Sequence, residues 1–202
     1  MRKIVAAIVV ATVTCASVAQ ADPTLETRVQ KLEKEVAELK AALAPLVEKT
    51  KAEQVVATQR SNARARMRKD SQLYTRDELR EIETLYQVAN RQWNSKEGKD
   101  SLKELIKKYD KANRTGCALL YLGQMTKGEE REKYLKQAIA DFSDCFYGDG
   151  VQVGAYARYY LAYHYRESGD DKKAAELFEA MRTLYPSAID HKGRRLADLT
   201  DN

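Results

Sequence analysis

Between Leu25 and Leu46 apolar residues recur at alternating steps of four and three: Leu25, Val29, Leu32, Val36, Leu39, Leu43 and Leu46. Such spacing keeps one narrow apolar stripe on a helix, the seam of a coiled coil. The other faces carry both signs of charge (Glu33, Lys34, Glu38, Lys40, Glu48) and no wider apolar flank, so the seam predicts self-association. Valine alternating with leucine leans toward two strands, with dimer and trimer both open. An amphipathic helix folded back on its own domain is the alternative. Pro45 has no N–H to donate and crowds the preceding turn, which predicts a break near Ala44. The polar stretch that follows carries Arg60, Arg64, Arg66, Arg68 and Lys69. It reads as a solvated helical linker, with peripheral contact to an anionic membrane or an acidic partner as the functional alternative.

From Leu79 onward the apolar positions broaden into three successive helix-pair patterns. The first, Leu79 to Ala112, places Ile82, Leu85, Tyr86, Ala89, Gly98, Leu102 and Leu105 inward, with Trp93 where a turn glycine would fit. In the second, Gly116 to Asp149, Leu119, Leu122, Gly123, Leu135, Ile139 and Phe142 do the same around a charged turn, Lys127 to Glu132. The third, Ala155 to Ala188, sets small Ala162 and Ala174 where two helices approach closely and Pro186 where the second must stop. Leu161, Tyr165, Gly169, Phe178 and Met181 complete its pattern. After it, Ile189 to Leu199 carries Leu196 and Leu199 among charges, as a short capping helix would.

The third pattern, AYARYYLAYHYRESGDDKKAAELFEAMRTLYPSA, resembles the tetratricopeptide repeat (TPR). The resemblance implies an all-α fold: a coiled-coil helix, then a TPR-like α-solenoid of three helical hairpins and a capping helix. Together with the seam, the polar stretch and the first residues, the expected order is a signal peptide at 1–21, an oligomerisation segment at 22–46, a basic helical linker at 47–78 and the TPR-like domain at 79–202. Arg158 stands where the family prefers a large apolar residue, so its contact with the preceding hairpin should be unusual.

The same resemblance implies that the first helix of each hairpin lines a partner-binding groove. The third would contribute Tyr156, Tyr159, Tyr163 and Arg166, the second Cys117, Leu120, Gln124 and Lys127, and the first Arg80, Glu83, Gln87 and Asn90. Tyrosines beside polar groups suit an extended peptide or a partner helix. Packing of these rings between hairpins is the plainer reading, and Tyr160 and Tyr165 fit the core better. Glu83 and Leu120 sit where recognition of a chain-terminal carboxylate would need donors, so that mode is not expected.

The first residues bear on location. Met1-Arg2-Lys3, the apolar run from Ile4 to Val13, and Ala19-Gln20-Ala21 have the three parts of a secretory signal, with cleavage expected after Ala21. The run is shorter than the roughly 20 residues of a membrane span. Lipid attachment at Cys15 is the poorer reading, because Thr14 occupies the place of a small residue. Cleavage would remove Cys15 and leave Cys117 and Cys145, an even count in a compartment that permits disulfides. In the repeat register these two fall at adjoining ends of the middle hairpin. Either they bridge, contributing about 3 kcal/mol on the loop-entropy model, or they are two buried thiols.

Catalysis finds little footing. His164 and His191 are the only histidines, and their spacing matches no metal site. The glycines of 145–154 are followed by no Gly-Lys-Ser/Thr, so that loop reads as a connector, with an addition of Phe146 and Tyr147 to a binding surface as the alternative. Asp170 reads as a helix cap. With 32% charged residues and a net charge of +5, two of them from Arg2 and Lys3, solvated helix faces are expected rather than a nucleic-acid surface. No cofactor and no metal are expected. Signal, coil, linker and repeats in this order are similar to the periplasmic coiled-coil TPR proteins associated with the Tol-Pal system. That similarity implies a non-catalytic periplasmic adaptor for envelope proteins, or alternatively a permanent structural subunit of an envelope assembly.

Overall fold

The computed structural model describes residues 23–200; the signal-like residues 1–21, with Cys15, lie outside the described residues. The fold is all-α. The chain divides into two compact units, Met1–Val47 and Glu48–Asn202, and helix α1 (Pro23–Leu73) contributes to both.

In the first unit the seam residues Leu25, Val29, Leu32, Val36, Leu39, Leu43 and Leu46 are 45–61% exposed. Lys31–Glu35 and Lys34–Glu38 pairs at 3.9 Å decorate its surface. The break expected at Pro45 does not occur, and α1 continues through it. Proline removes one helical hydrogen bond, to the carbonyl of Ala41, and the exposed surroundings leave that carbonyl open to water.

In the second unit, three helix pairs follow α1: α2 (Arg76–Arg91) with α3 (Lys96–Lys108), α4 (Asn113–Met125) with α5 (Gly128–Asp141), and α6 (Val153–Glu167) with α7 (Asp171–Leu184). Turns of two to four residues join the members of each pair, which forces them antiparallel. Thr75 opens α2 with a capping box to Glu78, Ser95 opens α3, and Asp170 opens α7 as expected. Asn94 at φ 60° takes the turn beside Trp93 that a glycine was expected to fill, an asparagine being the side chain best suited to that region. From α2 to α7 each helix packs on the next, and α4 also packs on both α2 and α6. Leu102, Leu105, Leu119, Leu120, Leu122 and Leu135 are fully buried at the centre. Arg158 bonds the Gly154 carbonyl at 2.7 Å and lies over the Tyr185 ring at 5.1 Å, both within its own hairpin, and meets the preceding one through Ser143 Oγ at 3.4 Å.

Two loops share one backbone design. In the first, Tyr147 N donates to Val151 O, Gly150 N to Tyr147 O, and Val153 N to Cys145 O. Forty-three positions later Asp190, Gly193 and Leu196 repeat these bonds to Arg194, Asp190 and Ala188. Each loop closes with an antiparallel bridge, Phe146 with Gln152 and Ile189 with Arg195. The expected capping helix over Ile189–Leu199 is therefore replaced by this turn and a single 3-10 turn, Leu196–Leu199. Asp190 holds the second turn by accepting from the Lys192 and Arg194 amides, both at 2.9 Å.

The stretch expected to be a solvated linker is instead part of the packed unit from Glu48 on. Ala63 is fully buried, and Gln59 and Asp70 nearly so. Gln59 donates to the Ser187 carbonyl at 2.8 Å. Gly150 and Gly193, both at positive φ, let α1 pass close: a Cβ on Gly150 would meet Arg60 N and Gln59 Cβ at 2.9 Å, and one on Gly193 Val56 at 3.1 Å. Arg66 Nη1 pairs with Asp70 at 2.7 Å, its Nε with Asp144 at 3.1 Å, and its Nη2 reaches the Lys111 carbonyl at 3.2 Å. Asp70 also accepts from the Asn113 amide at 2.8 Å, and Asn113 exchanges two side-chain bonds with the Phe146 backbone. A helix with five basic residues in ten thus fastens the connections between hairpins through buried polar bonds.

Candidate functional site

Because α4 lies against both α2 and α6, aromatic side chains of these helices meet edge to face or stacked. Tyr121 on α4 stacks on Tyr86 at 5.3 Å and meets Trp93 at 5.2 Å and Tyr147 at 5.6 Å. Tyr147 and Tyr156 both press on the His191 ring, at 5.1 and 5.4 Å. From Tyr156 the row continues on α6 through Tyr159 (5.8 Å) to Tyr163 (4.8 Å) and ends on Phe178 (5.3 Å). Offset and edge-to-face contacts of this kind each add about 0.5–1.5 kcal/mol beyond the area buried.

The row is not uniformly accessible. Tyr86, Tyr147 and Tyr156 are buried, Tyr121, Tyr159, Tyr160 and Tyr163 are half-buried, and Trp93 is exposed. Burial pushes the Tyr86, Tyr147 and Tyr156 hydroxyls far above the ordinary phenol value. Burial and the neighbouring Tyr163 push Tyr159 up to about 12. All four stay neutral near pH 7 and can both donate and accept hydrogen bonds.

Polar side chains separate the two ends of the row. At the α2 end they satisfy one another: Arg114 clasps Glu83 at 2.8 and 3.2 Å above the Tyr86 ring, Gln87 donates to Glu83, Asn90 to Gln87, and the Tyr121 hydroxyl to Asn90. At the α6 end an open pocket of about 290 Å³ is lined by Gln124, Arg131, Tyr159, Tyr160, Tyr163 and Glu167. Gln124 Nε2 is buried and lacks a hydrogen-bond partner among the described residues. A buried amide without a partner costs about 1–3 kcal/mol, so this end is the one that gains most from a ligand.

Of the residues singled out from the sequence, the pocket unites Tyr159, Tyr163 and Gln124. Tyr156 is buried and stacks on Tyr159, in line with the reading that packs these rings between hairpins, and Tyr160, expected in the core, lines the pocket. Arg166 lies over the Tyr163 and Phe178 rings at 5.2 and 4.8 Å, and Gln87 and Asn90 sit in the closed polar chain of α2. Lys127 precedes α5 in the exposed turn, outside the pocket lining. Cys117 and Leu120 are wholly buried and belong to the core rather than a groove. Tyr147, which the sequence offered with Phe146 as an addition to a binding surface, joins the row, whereas Tyr121 and Trp93 were missed; Tyr121 is flanked by two core leucines, which hid its reach toward α2.

Cys117 and Cys145 are free thiols, so the bridge considered for them is not formed. They face different partners: Cys117 Sγ approaches the Phe146 carbonyl at 3.4 Å and Cys145 Sγ the Arg66 guanidinium at 3.5 Å. Burial pushes the Cys117 thiol up to about 12 and Cys145 higher still, which leaves both unreactive. His191 Nδ1 lies 2.7 Å from Asp149. Burial acts to raise the Asp149 carboxyl, but the bond and charge of His191 together with local amides bring it below its ordinary value. No cluster of metal-ligating side chains occurs among the described residues. No family model, curated protein or solved structure matches the chain.

Proposed function

We propose that this protein is an exported, non-catalytic scaffold of the tetratricopeptide type, oligomerised through the first part of α1, which holds a peptide segment of an envelope partner on the aromatic face of α4 and α6. The observation that carries the reading is the tyrosine-lined pocket with an unpaired buried amide, set where first helices of successive hairpins meet. Rigid tyrosines give contact area at low entropic cost, while an amide fixes the register of a bound backbone. The seam supports the oligomer: seven half-exposed Leu and Val side chains on one stripe gain free energy by pairing with a second copy. Linked copies raise the effective concentration of each weak site. Export rests on the sequence of residues 1–21 alone.

The test is a selection of random displayed peptides on the chain from residue 22, repeated on the Tyr159→Ala, Tyr163→Ala double variant. Enriched peptides that lose binding to the double variant are expected. No enrichment, or enrichment indifferent to the two substitutions, would overturn the groove.

A further inference from the structure

The pocket between α4 and α6 has a chemistry more specific than a general peptide groove. Its two charged members, Arg131 and Glu167, face each other at 3.5 Å, so neither calls for an ionic ligand. Tyr159, Tyr160 and Tyr163 supply ring faces whose mutual angles, 88° and 57°, leave a corner for a flat apolar group. The buried atom left unpaired is a donor, Gln124 Nε2. What fits is an uncharged ring beside a strong acceptor that can take the bond from Gln124.

We infer that this pocket takes a proline of an extended partner peptide, the ring lying among Tyr159, Tyr160 and Tyr163 and the carbonyl preceding it accepting from Gln124. This rests on the groove reading above and names its ligand class. Proline removes the amide donor and pre-forms the polyproline II path, so little entropy is lost on docking to aromatic rings. A sugar ring also stacks on tyrosine, but its many hydroxyls require several free polar partners. Here the carboxylate is engaged by Arg131, and the one buried polar atom left unpaired among the lining side chains is Gln124 Nε2.

The experiment is a calorimetric titration of the chain from residue 22 with a decaproline peptide, a glycine-serine decapeptide and a soluble chitin oligosaccharide. Saturable binding of decaproline alone is expected. Gln124→Leu should weaken it roughly five- to tenfold while leaving the unfolding midpoint unchanged or higher, because it deletes an unsatisfied buried group. Tyr159→Phe should keep binding and Tyr159→Ala lose at least tenfold; should the alanine variant fail to fold, the Gln124→Leu and Tyr159→Phe pair still decides. Binding of the oligosaccharide in place of decaproline, or decaproline binding unaffected by Gln124→Leu, overturns the inference. So does an absence of decaproline binding; if displayed peptides are still enriched in a tyrosine-dependent way, only the proline assignment falls, and if none are, the groove falls with it.

Discussion

The two stretches of α1 differ in what covers them. Up to Val47 its leucines and valines stand about half exposed, whereas from Glu48 on an arginine-rich sequence buries Gln59, Ala63 and Asp70. Burial here follows the supply of partners rather than the polarity of the residue. Arg66 tolerates its enclosed position because Asp70 and the Lys111 carbonyl accept from its two terminal nitrogens and the Asp144 carboxylate lies 3.1 Å from Nε, while its sequence neighbours Arg64 and Arg68 remain exposed. A buried ion pair is weak evidence of stability, but breaking one is costly, since the survivor keeps its desolvation.

The sharpest way to break the comparison is therefore Asp70→Ala. It leaves Arg66 without its closest partner and Asn113 without an acceptor for its amide, and should lower the unfolding free energy by about 3–5 kcal/mol. Arg64→Ala, two residues from Asp70's own partner yet exposed, should change it by less than about 0.5 kcal/mol. Urea unfolding of both variants tests this; equal effects would mean that α1 is a solvated connector after all.

That contrast also marks what was legible from sequence. The three helix pairs follow from the 3.6-residue spacing of Ile82, Leu102, Leu119, Leu135, Leu161 and Phe178, all of which lie in the core or on its margin. Arg66 is indistinguishable in sequence from Arg64, because its role comes from residues up to 79 positions away. The repeated loop left a fainter trace: Gly150 and Gly193, Phe146 and Ile189, Val153 and Leu196 recur at one spacing. A bond pattern made by the backbone asks little of the side chains, so that trace gave way to the apparent helical spacing of Leu196 and Leu199. In the pocket, Tyr159, Tyr163 and Gln124 were legible from the repeat register, whereas the place of Tyr121 in the aromatic row outside it depends on the crossing of α4 with its neighbours.

A smaller effect concerns the loop over which α1 passes. Burial acts to raise the Asp190 carboxyl, but the Arg194 amide and guanidinium and the Lys192 amide outweigh it and hold the carboxyl below its ordinary value of 3.8. A carboxyl depressed in the folded state stabilises the fold above its unfolded value, and that stabilisation is lost as pH falls through the lower folded value. Acid unfolding followed by circular dichroism should thus begin below about pH 4, and Asp190→Asn should flatten the dependence there. An unchanged acid limb in the variant would show that this turn does not carry the term.

The smallest expected change in domain stability belongs to the first stretch. Leu32 and Leu39 are 58% and 61% exposed and belong to the unit that ends at Val47, so Leu32→Lys with Leu39→Lys should alter unfolding of the Glu48–Asn202 unit by less than about 0.5 kcal/mol. The same pair places charges in the seam, where a second copy would have to bury them, and a buried unpaired charge is prohibitive. Light scattering should then show the mass falling from an oligomer to a monomer while the denaturant midpoint stays in place. A monomer already in the parent chain would remove the seam from the proposed function. An oligomer that survives both lysines would move self-association elsewhere. A large loss of domain stability would mean that the exposed leucines support the helical pairs, and the contrast between the two stretches of α1 would disappear.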